Sequence, residues 1–511
     1  MDYTIQKENI LSEDKISNLC KEQPVDLNFS LPDYCPDIQK ILKCIVIPSI
    51  TSKNITSGRL DIDGIINVQF MYLDADKKQV RHFDNISPFS CTIDIGEVDL
   101  SSIAFTEIKT EYMNCHATSP RKIDIHGAFS ICTTIISRSN KEISSNIEEN
   151  DIAVKKMSLP ISTLTGMSQQ QFSINEILEA NKSKPMIRSI VKSDINAVIN
   201  DCKLLNDKAI IKGDVFIKIL YDSVNPDNEL ETIEYTIPIS QIIDVLGSSD
   251  DDICDVDLDI LEDEFRIKSN NSEDENLIEV NLKLCASVLS YRENEIEFIT
   301  DAYSTDYELN LNKDKVNFNH IEDFVTESYI DKSTIEVEPS MSLAKIIDIW
   351  DEGIDLSSKI EDEKLKFSGK INACILSINN EGVPEYTEKP INFEYISNAM
   401  VENDSKIDTN VKIVSIGYRI IANNSIEIKT ELLFKSKISS SKEVFMVSDI
   451  YVDEDSPYSK DEASLIIYFA DKGEDIWDIA RNYHTTADAI KGENELESDV
   501  IEENSMILIP M

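Results

Sequence analysis

The stretch SLIIYFADKGEDIWDIARNYHTTADAIKGENELESDVIEENSMILIPM, residues 464–511, anchors the reading of the chain. Its apolar run Leu465 to Phe469 predicts a strand. Lys472-Gly473 makes a turn, and Glu474 and Asp475 then sit where a helix starts, with acids at its positive end. Ile476, Ile479, Ala480 and Tyr483 recur at helical spacing and form one face. Thr485 or Thr486 can cap a second short helix carrying Ala487 and Ile490. Gly492 is its expected stop. Met506 to Ile509 closes as a strand that Pro510 ends.

Strand, helix, helix, strand in so short a span resembles the LysM domain. The residues carrying the resemblance are Tyr468, Gly473, Ile476, Trp477, Ile479, Ala480, Tyr483, Asn494, Leu496, Ile501, Ile507, Ile509 and Pro510. The resemblance implies binding of N-acetylglucosamine polymers in a shallow groove between the first strand–helix loop and the second helix–strand loop. Gly473, Glu474, Asp475, Asn494 and Leu496 are the candidate groove residues. The sequence departs from the family there. The module holds eleven acids against Lys472, Arg481 and Lys491, a net charge of −8. Asp475 stands where the family has a threonine, and Asn504 where it has a late glycine. Strand side chains alternate faces. If Tyr468, Ile507 and Ile509 point inward, then Ile467, Phe469, Met506 and Leu508 point outward. Such an apolar patch predicts either a protein partner or packing on the chain's own preceding domain, and ranks both above sugar. Trp477 lies beside the core stripe, so it is expected to be partly exposed and a partner contact together with His484.

Composition narrows the function classes. The chain has 511 residues and a net charge of −46, which disfavours nucleic acid and anionic membrane surfaces. The N-terminus lacks a basic start and an apolar core, so no signal peptide is expected. No apolar run approaches the roughly 18 residues of a membrane span. Ten cysteines without a CxxC pair predict reduced thiols and a cytoplasmic protein. Cys115, His116 and His126 lack zinc-ligand spacing, so neither metal nor other cofactor is expected. No phosphate loop or nucleophile motif occurs, and the expectation is a non-enzyme. The acidic run at 248–265 lacks the glycine of a calcium loop and predicts a solvated turn entering a strand.

The rest of the chain is an internal repeat. Gly64 leads to Ile66, Val68, Phe70 and Tyr72; Gly213 leads to Val215, Ile217, Ile219 and Tyr221; Gly369 leads to Ile371, Ala373, Ile375 and Ser377. The glycines are 149 and 156 residues apart. Pro88-Phe89, Pro238-Ile239 and Pro390-Ile391 follow as openings of a next strand. Ile123-Asp124-Ile125, Ile278-Glu279-Val280 and Ile426-Glu427-Ile428 each begin a long alternating run. Short helices are expected ahead of the repeats, at 31–42, 173–180 (with Ser173 and Glu176 as a capping box) and 340–350. The expected organisation is a tail at 1–25, repeats at 26–160, 161–315 and 316–455, a linker at 456–463 and the module at 464–511. The fold class is mainly β: three tandem two-layer units of six to eight strands, then a small α+β βααβ domain.

Pro36, Asp37, Ile38, Ile41 and Leu42, the glycine-led strand ending in Tyr72 and the Pro88-Phe89 start resemble the SPOCS domain of spore coat proteins. Tandem SPOCS units ahead of one LysM are similar to spore coat morphogenetic proteins. That resemblance implies a mother-cell cytosolic scaffold that encases the forespore. Its LysM would bind the basement-layer coat ATPase of the SpoIVA type, and its repeats would contact other coat proteins. The alternative is a peptidoglycan-binding protein of the spore cortex or wall.

Overall fold

The structure, a computed structural model, describes residues 4–75, 79–148, 151–180, 183–224, 230–269, 276–336, 343–422, 425–458 and 464–510. The alternation of apolar and polar residues builds three successive pairs of three-stranded antiparallel sheets. Unit 1 contains β1 (Ile5–Ser30), β2 (Ile38–Thr56), β3 (Arg59–Asp74), β4 (Val80–Asp94), β5 (Ile103–Ser119) and β6 (Lys122–Ile147). Unit 2 contains β7 (Ile152–Glu179), β8 (Ile187–Leu205), β9 (Lys208–Ser223), β10 (Leu230–Asp244), β11 (Ile253–Ser269) and β12 (Asn276–Ser304). Unit 3 contains β13 (Tyr307–Glu336), β14 (Leu343–Glu361), β15 (Lys364–Asn379), β16 (Pro384–Met400), β17 (Lys406–Ala422) and β18 (Ser425–Pro457). The sheet orders β2-β3-β4 and β1-β6-β5 recur as β8-β9-β10 and β7-β12-β11, then as β14-β15-β16 and β13-β18-β17. The mainly-β expectation holds, with two layers of three strands per unit.

The repeated residues have local reasons. Gly64 faces Phe89 across β3 and β4, and Gly369 faces Phe393 in the same way. A Cβ on Gly64 would stand 2.3 Å from the Phe89 ring and 2.4 Å from the Ser49 carbonyl. On Gly369 it would stand 2.2 Å from the Asp355 carbonyl. Glycine therefore lets a ring fold over one strand while a neighbouring strand crowds it from the other side. The tyrosines that end these runs donate to proline carbonyls: Tyr72 to Pro36 and Tyr221 to Pro185, each at 3.1 Å.

Several expectations are corrected. The three leading segments are not helices. Residues 38–42 open β2, 173–179 lie in β7, and 343–350 lie in β14; 340–342 fall outside the described residues. The capping-box pattern at Ser173 loses to long-range pairing, because Ile174 to Glu179 are matched residue by residue with β12. Residues 31–37 form a turn whose Leu31, Pro32 and Cys35 carbonyls and Asp37 carboxylate all accept from the Arg121 guanidinium. The polar segment expected as a tail is largely strand β1, whose outer positions are solvated while Val25 is buried on β6. The positions 160/161 and 315/316 expected as unit boundaries lie inside β7 and β13; β6 ends at Ile147 and β7 starts at Ile152, and β12 ends at Ser304 and β13 starts at Tyr307. Pro457 belongs to β18, and 459–463 of the expected linker lie outside the described residues. Nor are all thiols reduced. Cys20 faces Cys132 across β1 and β6 in one disulfide, and Cys202 joins Cys254 between the two layers of unit 2. Spacing along the chain could not show either encounter.

The units close into a ring with threefold pseudosymmetry. β4 packs on β8, β10 on β14, and β16 back on β2. Near the axis Met71, Leu220 and Leu376, each seven residues beyond its repeat glycine, share one cluster with Leu42, Ile45, Val191, Ile347 and Trp350. Opposite those three residues on the neighbouring strands stand Lys43, Lys192 and Asp348. Equivalent positions thus carry different charges. Lys218 Nζ lies 2.6 Å from the buried Asp348 carboxylate, whose pKa burial pushes up against the opposing pull of Lys218 and Lys192. Lys43 sits between Glu352 at 2.6 Å and Glu388 at 2.7 Å, joining unit 1 to unit 3. The acidic run at 248–265 is only partly a solvated turn. Its β11 acids are matched between units: Asp255 to Lys435 at 2.7 Å, Asp257 to Lys412 at 3.4 Å and Asp259 to Lys53 at 3.5 Å.

Candidate functional site

The last segment folds as β19 (Leu465–Ala470), α1 (Ile476–Asn482), α2 (Ala487–Asn494) and β20 (Ser505–Pro510), with β19 antiparallel to β20. Gly473 takes φ +95°, which a side chain would resist. Asp475 caps α1 by accepting from the Trp477 amide at 2.9 Å, and Thr486 caps α2 by accepting from the Ala489 amide at 3.1 Å. The expected stop at Gly492 is corrected: α2 runs on to Asn494, and Glu495 ends it in the left-handed region at φ +55°. Ile476, Ile479, Ala480, Ile490, Ile501, Ile507 and Ile509 form the core.

The groove candidates are mostly engaged. Asn494 holds β20, donating to the Leu508 carbonyl at 2.6 Å and accepting from its amide at 2.7 Å. Leu496 packs against the core. The Asp475 carboxylate meets Lys155 of β7 at 2.6 Å. Glu474 accepts from the Tyr468 hydroxyl at 3.0 Å. The two loops expected to flank a groove are bonded to each other. The Gly473 amide donates to the Ile501 carbonyl at 2.8 Å, and the Ile501 amide donates to Glu474 at 2.9 Å. The Lys472 amide donates to the Asn504 side chain at 2.7 Å.

Trp477 is not a partly exposed partner contact. It is 9% exposed and faces the chain's own unit 2. Its ring meets Tyr303 edge-on at 4.7 Å, and its indole Nε1 donates to Asp301 at 3.1 Å. Arg481, one turn later, donates to the same carboxylate at 2.9 Å, and Lys313 of unit 3 lies 3.0 Å from it. Burial alone would raise the Asp301 pKa, but the Trp477, Lys313 and Arg481 donors together hold it below the ordinary carboxylate value. The Tyr303 hydroxyl donates to the Thr485 carbonyl at 2.9 Å. His484 stacks on Tyr458 at 3.5 Å, so it too contacts its own chain. The sequence shows Trp477 and Arg481 one helical turn apart. It holds no signal for the acid 176 residues away that receives them.

With the helical side docked, the outer sheet face is the one turned away. Ile467, Phe469 and Met506 are 58%, 77% and 57% exposed, with Leu508 half-buried among them. Leu465 extends the patch. The outer face is thus an exposed apolar surface on an otherwise acidic module.

Two profiles match this chain. The SipL, SPOCS domain profile covers residues 37–118 and 186–268, and the LysM domain profile covers residues 471–510. The SPOCS segments span β2–β5 and β8–β11, equivalent parts of units 1 and 2; unit 3 repeats their strand order. No curated protein and no solved structure matches the chain. The fold and these segments define a sporulation coat-related protein built from non-catalytic binding domains, one of them of the peptidoglycan-binding class. The order of the matches, two SPOCS segments ahead of one C-terminal LysM segment, is the one a SipL-type protein with a LysM would show. No helix among the described residues is long and apolar enough to cross a membrane.

Proposed function

We propose that this chain is a non-enzymatic scaffold of spore coat assembly. It acts in the mother-cell cytosol at the forespore surface and binds the basement-layer ATPase of the SpoIVA type through its LysM. The observation that carries this reading is the outer sheet face of Ile467, Phe469, Met506 and Leu508, presented to solvent while the helical side is held by unit 2. The full pairing of β19 with β20 fixes the register of that face, which lowers the ordering cost of capture. Glycan binding is supported by the LysM profile. It is weakened by the mutual bonding of the two groove loops and by the engagement of Asp475, Asn494 and Leu496. The test is localisation of a fluorescently tagged full-length chain in sporulating cells. The scaffold reading expects a ring around the forespore that disperses when the ATPase is removed. A signal that stays on the cell wall or cortex without the ATPase would overturn it.

A further inference from the structure

The residues that seat the LysM on unit 2 have counterparts on unit 3. Near the end of β12, Thr300 is a bulged residue, and its hydroxyl donates to the Lys155 carbonyl at 3.1 Å. Near the end of β18, Ser448 is bulged in the same way, and its hydroxyl donates to the Asn312 carbonyl at 3.3 Å. Unit 1 repeats the device with Ser145 and the Gln6 carbonyl at 3.4 Å. After the bulge, the next three residues are Asp301-Ala302-Tyr303 in unit 2, Asp449-Ile450-Tyr451 in unit 3 and Asn146-Ile147-Glu148 in unit 1. The middle residues Ala302, Ile147 and Ile450 share one apolar cluster between the units, so the flanking acid and tyrosine of units 2 and 3 point away from it. In unit 2 that outward pair is covered by the module, and Tyr303 is 4% exposed. In unit 3 Asp449 is exposed and Tyr451 is 57% exposed.

We propose that Asp449 and Tyr451 form a second docking platform, one that takes a helix of a partner protein presenting an aromatic N–H donor and an arginine one turn apart. The module already docked on unit 2 shows the chemistry: indole N–H and guanidinium to the carboxylate, ring edge to ring face. A second copy of this chain is a poor occupant. Each copy has one module and its own platform for it, so exchange between copies gains no contact. The platforms also differ. Asn310 and Asn312 replace Ala153 and Lys155, so the partner helix does not need the acidic cap that Asp475 offers Lys155. Unit 1, with Asn146 and Glu148, carries neither the acid nor the ring in those places and is not a platform.

The test is titration of a hydrocarbon-stapled helical peptide copying residues 475–483 into the full-length chain, followed by fluorescence anisotropy. The chain's own module occupies unit 2, which leaves unit 3 for the peptide. One-to-one saturable binding is expected. It should weaken by about tenfold or more with Tyr451→Ser or Asp449→Asn in the chain, or when the peptide's indole or guanidinium is truncated to alanine. Both chain substitutions are at exposed positions and leave the core intact. Phe469→Lys should leave peptide binding unchanged, which separates this platform from the coat-ATPase face. Absence of saturable binding, or binding that neither Tyr451→Ser nor Asp449→Asn weakens, would overturn the proposal. So would displacement of the docked module by the peptide.

Discussion

Replacing Asp301 by asparagine should release the LysM from unit 2. The carboxylate receives the Trp477 indole at 3.1 Å and Arg481 at 2.9 Å, with Lys313 at 3.0 Å, and its side chain is only 17% exposed. Hydrogen bonds to a charged group contribute about 1.5–3 kcal/mol each. Asparagine keeps one acceptor oxygen and loses the charge, so the indole bond can survive while both cation contacts weaken. Lys313 belongs to unit 3, so the docking loss comes from the Arg481 contact: about 1.5–3 kcal/mol, roughly 10- to 150-fold in the docked-to-undocked ratio. The chain has two tryptophans, and Trp350 is buried at the ring axis, so Trp477 reports the change. Asp301→Asn should shift the emission to the red and increase iodide quenching. Exchange of the α1 amides should rise modestly, because the module keeps its own core. Unchanged emission and quenching in Asp301→Asn would refute the claim that this carboxylate holds the module.

Three further outcomes follow from the same structure. Acid should undock the module. Asp301 and Asp475 are held below their ordinary value of 3.8 and burial holds His484 below 6.5, so the undocked state binds more protons and docking weakens as pH falls. Trp477 quenching should therefore rise first below about pH 6.5 and again below about pH 4; quenching that falls with acid contradicts the assignment. Lys218→Ala leaves the buried Asp348 carboxylate without its nearest cation and should cost about 3–5 kcal/mol, read as a lower denaturant midpoint. Gly64→Ala drives a methyl into the Phe89 ring and the Ser49 carbonyl and should lower the midpoint of unit 1. Gly417→Ala, where a Cβ meets nothing within 4 Å, should not.

What the sequence made legible was whatever repeats or alternates locally. The glycines at 64, 213 and 369, the tyrosines at 72 and 221 and the LysM residues each announce a strand, a turn or a small core. The outward pointing of Ile467, Phe469 and Met506 follows from the same alternation. The errors lie where distant residues decide. Residues 173–179 have a helix cap and a helical rhythm, yet pairing with β12 outweighs that preference. The polar β1 pairs along nearly its whole length with β6, a partner more than 90 residues away. Trp477 has no partner legible in the sequence until the fold brings Asp301 and Tyr303 to it. Asp449 and Tyr451 stand out only once the bulges of Thr300 and Ser448 are aligned. The third unit obeys the topology of the first two while lacking their final tyrosine, since Ser377 stands in its place.

Calorimetric titration of the full-length chain and its Phe469→Lys variant with the purified coat ATPase tests the central claim most directly. An N-acetylglucosamine oligomer serves as the parallel ligand. The account predicts saturable heat with the ATPase, its loss in Phe469→Lys at unchanged circular dichroism, and no heat with the sugar. Binding of the sugar but not the ATPase, or ATPase binding indifferent to Phe469→Lys, would contradict it.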